Sequence, residues 1–575
     1  MSSYSLYPKI NIKGYDNEAF LGYCNILNQI KAKINKDDFI LVLDCYIGVD
    51  INHILENFKS LNFDNIILSD DYALKEDKLT EKMQDYLTDD RVFGIMNTKK
   101  LQDFFIKERL EEVKNKVNSL KGKTLIIGVG ASLITTGDLY IYADISRWEI
   151  QLRYRKGMTN WNVSNSDAPI LEKYKRGYFM EWRIADRHKI ANYENFDYIL
   201  YTNIINEPKM VTKDAFFNGL LQASKQPFRL VPYFDSGVWG GQWLKKVCGL
   251  DKNRENFAWG FDGVPEENSI ILKYGEVCFE TPAINLVFCE PINLLGERVY
   301  ARFGKEFPIR FDFLDTMEGG NLSLQVHPLT EYIQETFGMH YTQDESYYIL
   351  DAKEDSSVYL GVKENIDKEK MIEDLKEAQK TGRPFDVEKY INKIDAKKHD
   401  HFLIPAGTIH CSGKNTFVLE ISATPYIFTF KLWDWGRLGS DGLPRPIHIQ
   451  HGEKVINYNA DTKWVYENLV NNIKPICEDK NYKEESTGLS NRHSIETRRH
   501  IFDDTVIHNT YGSVNMLNLV EGEEITIESI NGEFEPFIIH YAETFIIPAC
   551  IEQYKITPSG SSKGKKVTTI KAYIR

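Results

Sequence analysis

The texture of the chain changes near residue 226, and that change constrains the fold more than any other feature. Before it, short apolar runs alternate with amphipathic segments. Residues 38–45 (DFILVLDC) predict a buried strand, and 51–61 predict a helix with Ile51, Ile54, Leu55 and Phe58 on one face. Residues 64–69 and 123–128 predict further strands, and 76–87 and 98–119 predict helices. The runs 139–144 and 197–202 continue the style. Strand–helix alternation of this kind predicts an α/β layer with a largely parallel sheet. From residue 230 onward the chain breaks into short runs divided by Gly, Pro, Asn and Asp: 285–290, 307–314, 322–327, 346–350, 357–361, 402–405, 417–422 and 426–433. Many short strands with turn signals predict a sandwich or jelly roll. A helix is expected to interrupt them at 364–380, and the polar stretch 478–492 reads as a loop or linker. Strands resume at 515–520, 536–541 and 543–548. The expected organisation is an α/β domain at 1–226, a metal-binding β domain at 227–475 and a smaller β domain at 476–575.

Composition narrows the function class. The 575 residues are 42% hydrophobic and 27% charged, which suits folded cores rather than disorder. The formal charge of −13 disfavours general binding to nucleic acid or an anionic membrane, since both are polyanions. The eight cysteines are scattered with no CxxC pair, so neither a disulfide framework nor a thiolate zinc knuckle is expected. No apolar stretch approaches the ~18 residues of a membrane span, and the N-terminus lacks an apolar leader segment. A cytoplasmic location is the simplest expectation. Oligomeric state is not legible.

The most informative segment is LSLQVHP, which begins at Leu322. Side chains two apart on a strand share a face, so Gln325 and His327 point the same way, and Pro328 ends the strand. Glu345 follows eighteen residues after His327, at the entry to another apolar strand. His410 follows a Pro-Ala-Gly turn in IPAGTIH, where Pro405 and Gly407 suit a tight hairpin. Taken singly, each residue has an ordinary structural reading. Together, two imidazoles, a carboxylate and an amide suit a borderline divalent metal such as zinc, with room for water or substrate.

In its ordered motifs the chain resembles type I phosphomannose isomerase. The resemblance opens at PYFDSGVWGGQWL (232–244) and runs through QVHP, the Glu before YYIL, PAGTIH, FVLEIS (417–422) and TFKLWDWGR…RPIH (429–448). It covers 228–460 clearly and 500–575 weakly. It implies a double cupin fold, one zinc ion per chain, and interconversion of mannose 6-phosphate and fructose 6-phosphate through an enediol. It also implies that Gln325, His327, Glu345 and His410 are the metal ligands. Glu420 matches a carboxylate of the substrate cavity, and Arg445 and His448 match an R-x-x-H element that binds substrate. Two positions depart from the pattern. Gln343 stands where members commonly carry Lys, and the catalytic Arg falls near Lys431, with Arg437 as the nearby alternative. Lys keeps a cation but loses the bidentate fork of Arg. Glu420 is the candidate for proton transfer, with His448 also open, and Lys431 and Arg437 are candidates for steadying negative charge. The alternatives are a cupin isomerase for another sugar phosphate and a non-catalytic sugar-phosphate-binding regulatory protein.

The N-terminal part carries less chemistry. The strand ending at Cys45 leads to Gly48, where a phosphate loop could lie, yet GxxxxGK[ST] is absent. The one GKT, Gly122–Thr124, precedes a strand rather than a helix, and GVGASLIT (128–135) holds only two glycines. This part vaguely resembles a P-loop kinase without its working loop. The basic, aromatic segment 174–189 reads as a solvated helix, a domain interface or an anion site. The fold class expected overall is α+β multidomain, a C-terminal double cupin preceded by a P-loop-kinase-like α/β domain.

Overall fold

The structure is a computed structural model, and it describes residues 3–423, 428–439, 442, 444–488 and 493–575. The chain forms two compact units. One comprises Lys9–Gln222 and Ser269–Asn285; the other comprises Met1–Pro8, Ala223–Asn268 and Leu286–Arg575. The change of texture at residue 226 thus falls beside a unit break at 222/223. The exchange of 269–285 into the first unit has no compositional signal.

The first unit is built on a seven-stranded sheet. Five of its strands, Phe39–Cys45, Asn65–Leu68, Lys123–Gly128, Leu139–Asp144 and Tyr198–Tyr201, run parallel. Numbered one to five along the chain, they lie across the sheet in the order 2-3-1-4-5. Lys209–Thr212 and Ala19–Leu21 extend one edge antiparallel. The inner strands are buried on both faces, which explains their unbroken apolar runs. Lys9–Ile12 pairs with Ser269–Tyr274, which pairs with Val277–Pro282. This small sheet is how the later segment joins the unit.

The second unit holds two pairs of antiparallel sheets. In the first pair, a six-stranded sheet is ordered His401–Ile404, Glu345–Ala352, Thr416–Ser422, Arg310–Asp315, Trp259–Gly263, Tyr233–Asp235. A five-stranded sheet is ordered Ile391–Asp395, Ser357–Val362, His410–Ser412, Leu324–Val326, Phe430–Trp433. Trp243 stacks on Phe417 with ring centroids 3.6 Å apart, and Phe313 packs on the other side at 5.2 Å. Such contacts between large rings anchor the core. The glycines of WGGQWL answer a steric need. A Cβ on Gly241 would lie 2.1 Å from a carboxylate oxygen of Asp315 and 2.6 Å from the Met317 amide nitrogen.

The second pair is smaller. A six-stranded sheet contains Lys474–Glu478, Tyr482–Ser486, Ile495–Phe502, Val567–Ile574, Asn515–Glu521 and Thr544–Ile547. A four-stranded sheet contains Val506–Asn509, Gln553–Pro558, Glu524–Ser529 and Phe537–His540. Phe502, Leu519, Phe545 and Val567 from one sheet pack with Ile525, Ile527 and Ile556 from the other in one fully buried cluster.

Two local expectations need correction. Residues 285–290 read as a strand, but Ile284–Cys289 is a helix. A short apolar run buried all round carries no periodicity that separates the two. Residues 478–492 read as a loop, but Tyr482–Ser486 is a strand paired to Ile495–Phe502. Its charged residues pair locally, Arg498 with Glu484 at 3.0 Å and Lys483 with Glu485 at 2.8 Å, so a polar composition did not prevent a strand. The expected strand 426–433 is observed at Phe430–Trp433; residues 426 and 427 lie outside the described residues. No helix among the described residues is long and apolar enough to cross a membrane.

Candidate metal centre

The site lies between the facing sheets of the first pair. Gln325 is on the strand Leu324–Val326, and His327 follows it. Antiparallel pairing sets Gln325 directly opposite His410. Glu345 opens its strand on the other sheet. The turn before His410 is tied to His327: Gly407, at φ +85°, donates its amide to the His327 carbonyl at 2.9 Å, and Thr408 N donates to Pro405 O at 3.1 Å. That backbone conformation favours glycine. The turn therefore fixes the segments of two candidate ligands against each other.

His327, Glu345 and His410 are the described His, Cys, Asp and Glu residues whose ligand atoms converge, all within 4.8 Å of one another. His327 Nε2 is 3.2 Å from Glu345 Oε2, and His410 Nε2 is 2.8 Å from Glu345 Oε1. Each imidazole points its Nδ1 at a backbone carbonyl, His327 at Phe428 O (2.8 Å) and His410 at Thr408 O (2.9 Å). A carbonyl only accepts, so both rings hold Nδ1–H and turn Nε2 toward Glu345. The Gln325 amide is 3.2 Å from His410 Nε2. Two neutral imidazoles would then aim lone pairs at a carboxylate, an arrangement that a cation among them satisfies. Apart from these contacts among the three side chains, His327 Nε2 and Glu345 Oε1 are buried without a hydrogen-bond partner among the described residues. Burial pulls the His327 imidazole down, but the adjacent Glu345 carboxylate more than offsets this and raises it. Burial likewise opposes ionisation of Glu345, yet His327 and His410 hold it well below the usual carboxylate range. These donors fit a zinc-type ion.

Gln343 and Glu420 adjoin this cluster. The Gln343 amide donates to Glu345 Oε2 at 2.7 Å and to Glu420 Oε1 at 3.2 Å. Glu420 is paired across the sheet with Tyr347 and Asp312. Burial, then Asp312 and Glu345, push its carboxyl well above the ordinary value. Asp312 is in turn held by Arg310 at 3.1 Å. The sequence did not single out Tyr347, Asp312 or Arg310. Tyr347 carried a signal, since it lies two residues after Glu345 on the same face; its hydroxyl is buried without a hydrogen-bond partner. Asp312 and Arg310 carried none, because their strand joins through register alone.

The remaining predicted residues form a cationic group beside the site. Lys431 is opposite Gln325 on the next strand. No hydrogen bond or ion pair holds its ammonium among the described residues. Burial, then Arg445, push it down to about 7. Arg437 is engaged: it donates to the Asn321 carbonyl at 2.7 Å and pairs with Asp434. Arg445 also pairs with Asp434, at 2.5 Å. His448 is buried and donates its backbone amide to the Lys431 carbonyl at 2.8 Å.

A family model described as a domain of unknown function (DUF8485) matches residues 22–225. Curated relatives match at modest identity. "Probable mannose-6-phosphate isomerase GmuF" of Bacillus subtilis is 28% identical over 232 residues, which is 40% of this chain and 68% of the relative. "Mannose-6-phosphate isomerase" of Streptococcus mutans is 26% identical over 246 residues, 42% of this chain and 72% of the relative. The curated relatives of this chain are mannose-6-phosphate isomerases. Solved isomerase structures are similar too. That of mannose 6-phosphate isomerase from Bacillus subtilis is 19% identical and covers 60% of this chain and 99% of its own, with a TM-score of 0.47. A zinc-bound mannose 6-phosphate isomerase is 14% identical and covers 61% and 99%, with a TM-score of 0.46. The resemblance read from 232–244 to 429–448 lies outside the residues matched by the domain of unknown function.

Proposed function

We propose that this chain is a zinc-dependent aldose–ketose isomerase that interconverts mannose 6-phosphate and fructose 6-phosphate. The observation that carries this reading is the convergence of His327, Glu345 and His410, with both imidazoles oriented by Nδ1 contacts to carbonyls. Gln325 completes the donor set. A bound zinc supplies Lewis-acid polarisation of the sugar oxygens.

The chain's own residues supply the rest. Glu420 transfers the proton between C1 and C2, taking it from one carbon and returning it to the next. Gln343 holds Glu420 and Glu345 in a fixed relation. Lys431 grips the phosphate or steadies the enediolate, because among the described residues its ammonium is not committed to a partner. Arg437 and Arg445 brace Asp434 beside it, and His448 anchors the same strand through its amide. The two sheet pairs of the second unit support the double cupin reading.

The five parallel strands of the other unit, in the order 2-3-1-4-5, support the α/β part of the P-loop-kinase-like reading. At Gly48 the loop after Cys45 packs closely against Ile150 and Arg153. A Cβ on Gly48 would lie 2.9 Å from Ile150, and the Gly48 carbonyl accepts from Arg153 at 3.0 Å. The reading assigns no nucleotide to this loop.

The test is a panel of aldose phosphates presented to the purified, zinc-loaded chain. Turnover of mannose 6-phosphate to fructose 6-phosphate in preference to the others is expected. Turnover of a different aldose phosphate alone would move the substrate assignment, and no turnover of any would leave a binding protein.

A further inference from the structure

The inward rows of the smaller sheet pair change character along their length. Phe502, Val567 and Val506 belong to the apolar core. Two residues from Phe502 on the same face is His500, two from Val506 is His508, and four from Val567 is Lys571. All three are buried, at 1%, 3% and 1% exposure. A cation and two imidazoles in a sandwich interior are costly unless each finds a partner.

Among the described residues, partners are few. Lys571 Nζ has one carbonyl, that of Asn509, at 3.4 Å, and faces the rings of Tyr511 and Tyr573 at 5.1 and 5.5 Å. Among the described residues no carboxylate forms an ion pair with it. Glu484 is held by Arg498 and by the Tyr482 hydroxyl, each at 3.0 Å; its Oε1 also lies 3.5 Å from His500 Nε2, and its charge bears on Lys571. His500 Nδ1 and His508 Nε2 are buried without a hydrogen-bond partner. The rings of these two histidines are 4.4 Å apart, and the Lys571 charge bears on both. Burial lowers the Lys571 ammonium, to about 8, against the pull of the Glu484 carboxylate. Tyr511, 48% exposed, marks where this end of the sandwich reaches solvent.

We propose that this end of the smaller sandwich binds a small anion, with a phosphate or carboxylate group on Lys571 and with His508 completing its contacts. The missing ion-pair partner of a buried ammonium is an anion, and His508 Nε2, buried without a hydrogen-bond partner among the described residues, can donate an N–H to its oxygens. This site is separate from the metal centre and does not depend on the isomerase reading.

The test uses the intact, zinc-loaded chain and two probes, inorganic phosphate and acetate. Binding is followed by calorimetry and by the shift of the thermal midpoint. Saturable binding of either probe is expected, weakened at least tenfold in Lys571→Met and in Lys571→Gln. It should persist in Lys431→Met, which separates it from any anion held at the metal centre. Phosphate alone or acetate alone saturating the site assigns the anion class. Neither probe binding, or equal binding in the wild type and both Lys571 variants, overturns the proposal.

Discussion

Glu345 and His410 face each other at 2.8 Å across two different sheets, and His410 turns its other nitrogen to the Thr408 carbonyl at 2.9 Å. The imidazole is thus oriented from behind and aimed at the carboxylate. Replacing Glu345 by Gln removes the one negative charge that all the ligand atoms share. Zinc content measured by elemental analysis after dialysis should fall from about one per chain to a small fraction. Full retention of zinc would remove Glu345 from the ligand set.

Gln343 bridges Glu345 and Glu420. Its replacement by Leu leaves two buried carboxyl groups without their shared donor, at a cost of about 1–3 kcal/mol. Thermal unfolding should show that loss, and turnover should fall with zinc still bound. Unchanged turnover would mean that Gln343 does not set the position of Glu420.

On the proposed reading, Lys431 and Arg437 divide the cationic role unequally. Lys431→Met is expected to lower kcat/KM by about 10²-fold with zinc content intact. Arg437→Met breaks the contacts to Asn321 and Asp434, so it should lower stability more than chemistry. The reverse pattern, with Arg437→Met the more damaging to turnover, would transfer the catalytic cation to Arg437.

His401 supplies a pH test away from the metal. It is fully buried, both ring nitrogens lack hydrogen-bond partners, and burial, then Arg499, lower its pKa to about 3. Between pH 6.5 and 3 the unfolded state binds the proton and the folded state does not. The stability from keeping His401 neutral is therefore complete above pH 6.5 and is lost as pH falls through that window, by up to about 5 kcal/mol. His401→Phe should lose less stability than the wild type between pH 6.5 and 4. Parallel acid-unfolding curves for the two proteins would contradict this.

The sequence was most legible where periodicity is short. Gln325 and His327 share a face because they are two apart on a strand, and their proximity to His410 follows once Pro405–Gly407 makes its turn. The buried parallel strands were legible as continuous apolar runs. Asp312 and Arg310 were not, because they reach the cavity by pairing with a strand about a hundred residues away, and no local pattern encodes that register. The helix at Ile284–Cys289 was missed because uniform burial erases periodicity. The cluster of His500, His508 and Lys571 was hidden in a strand-rich segment whose alternation gives the face but not the partner.

Zinc add-back to the metal-free chain tests the central claim most directly. Activity on mannose 6-phosphate should rise in proportion to bound zinc and level off at one zinc per chain, and His410→Ala should show no such rise. Full activity in metal-free protein, or a His410→Ala variant that binds zinc and turns over normally, would contradict the assignment of His327, Glu345 and His410 to a catalytic metal centre.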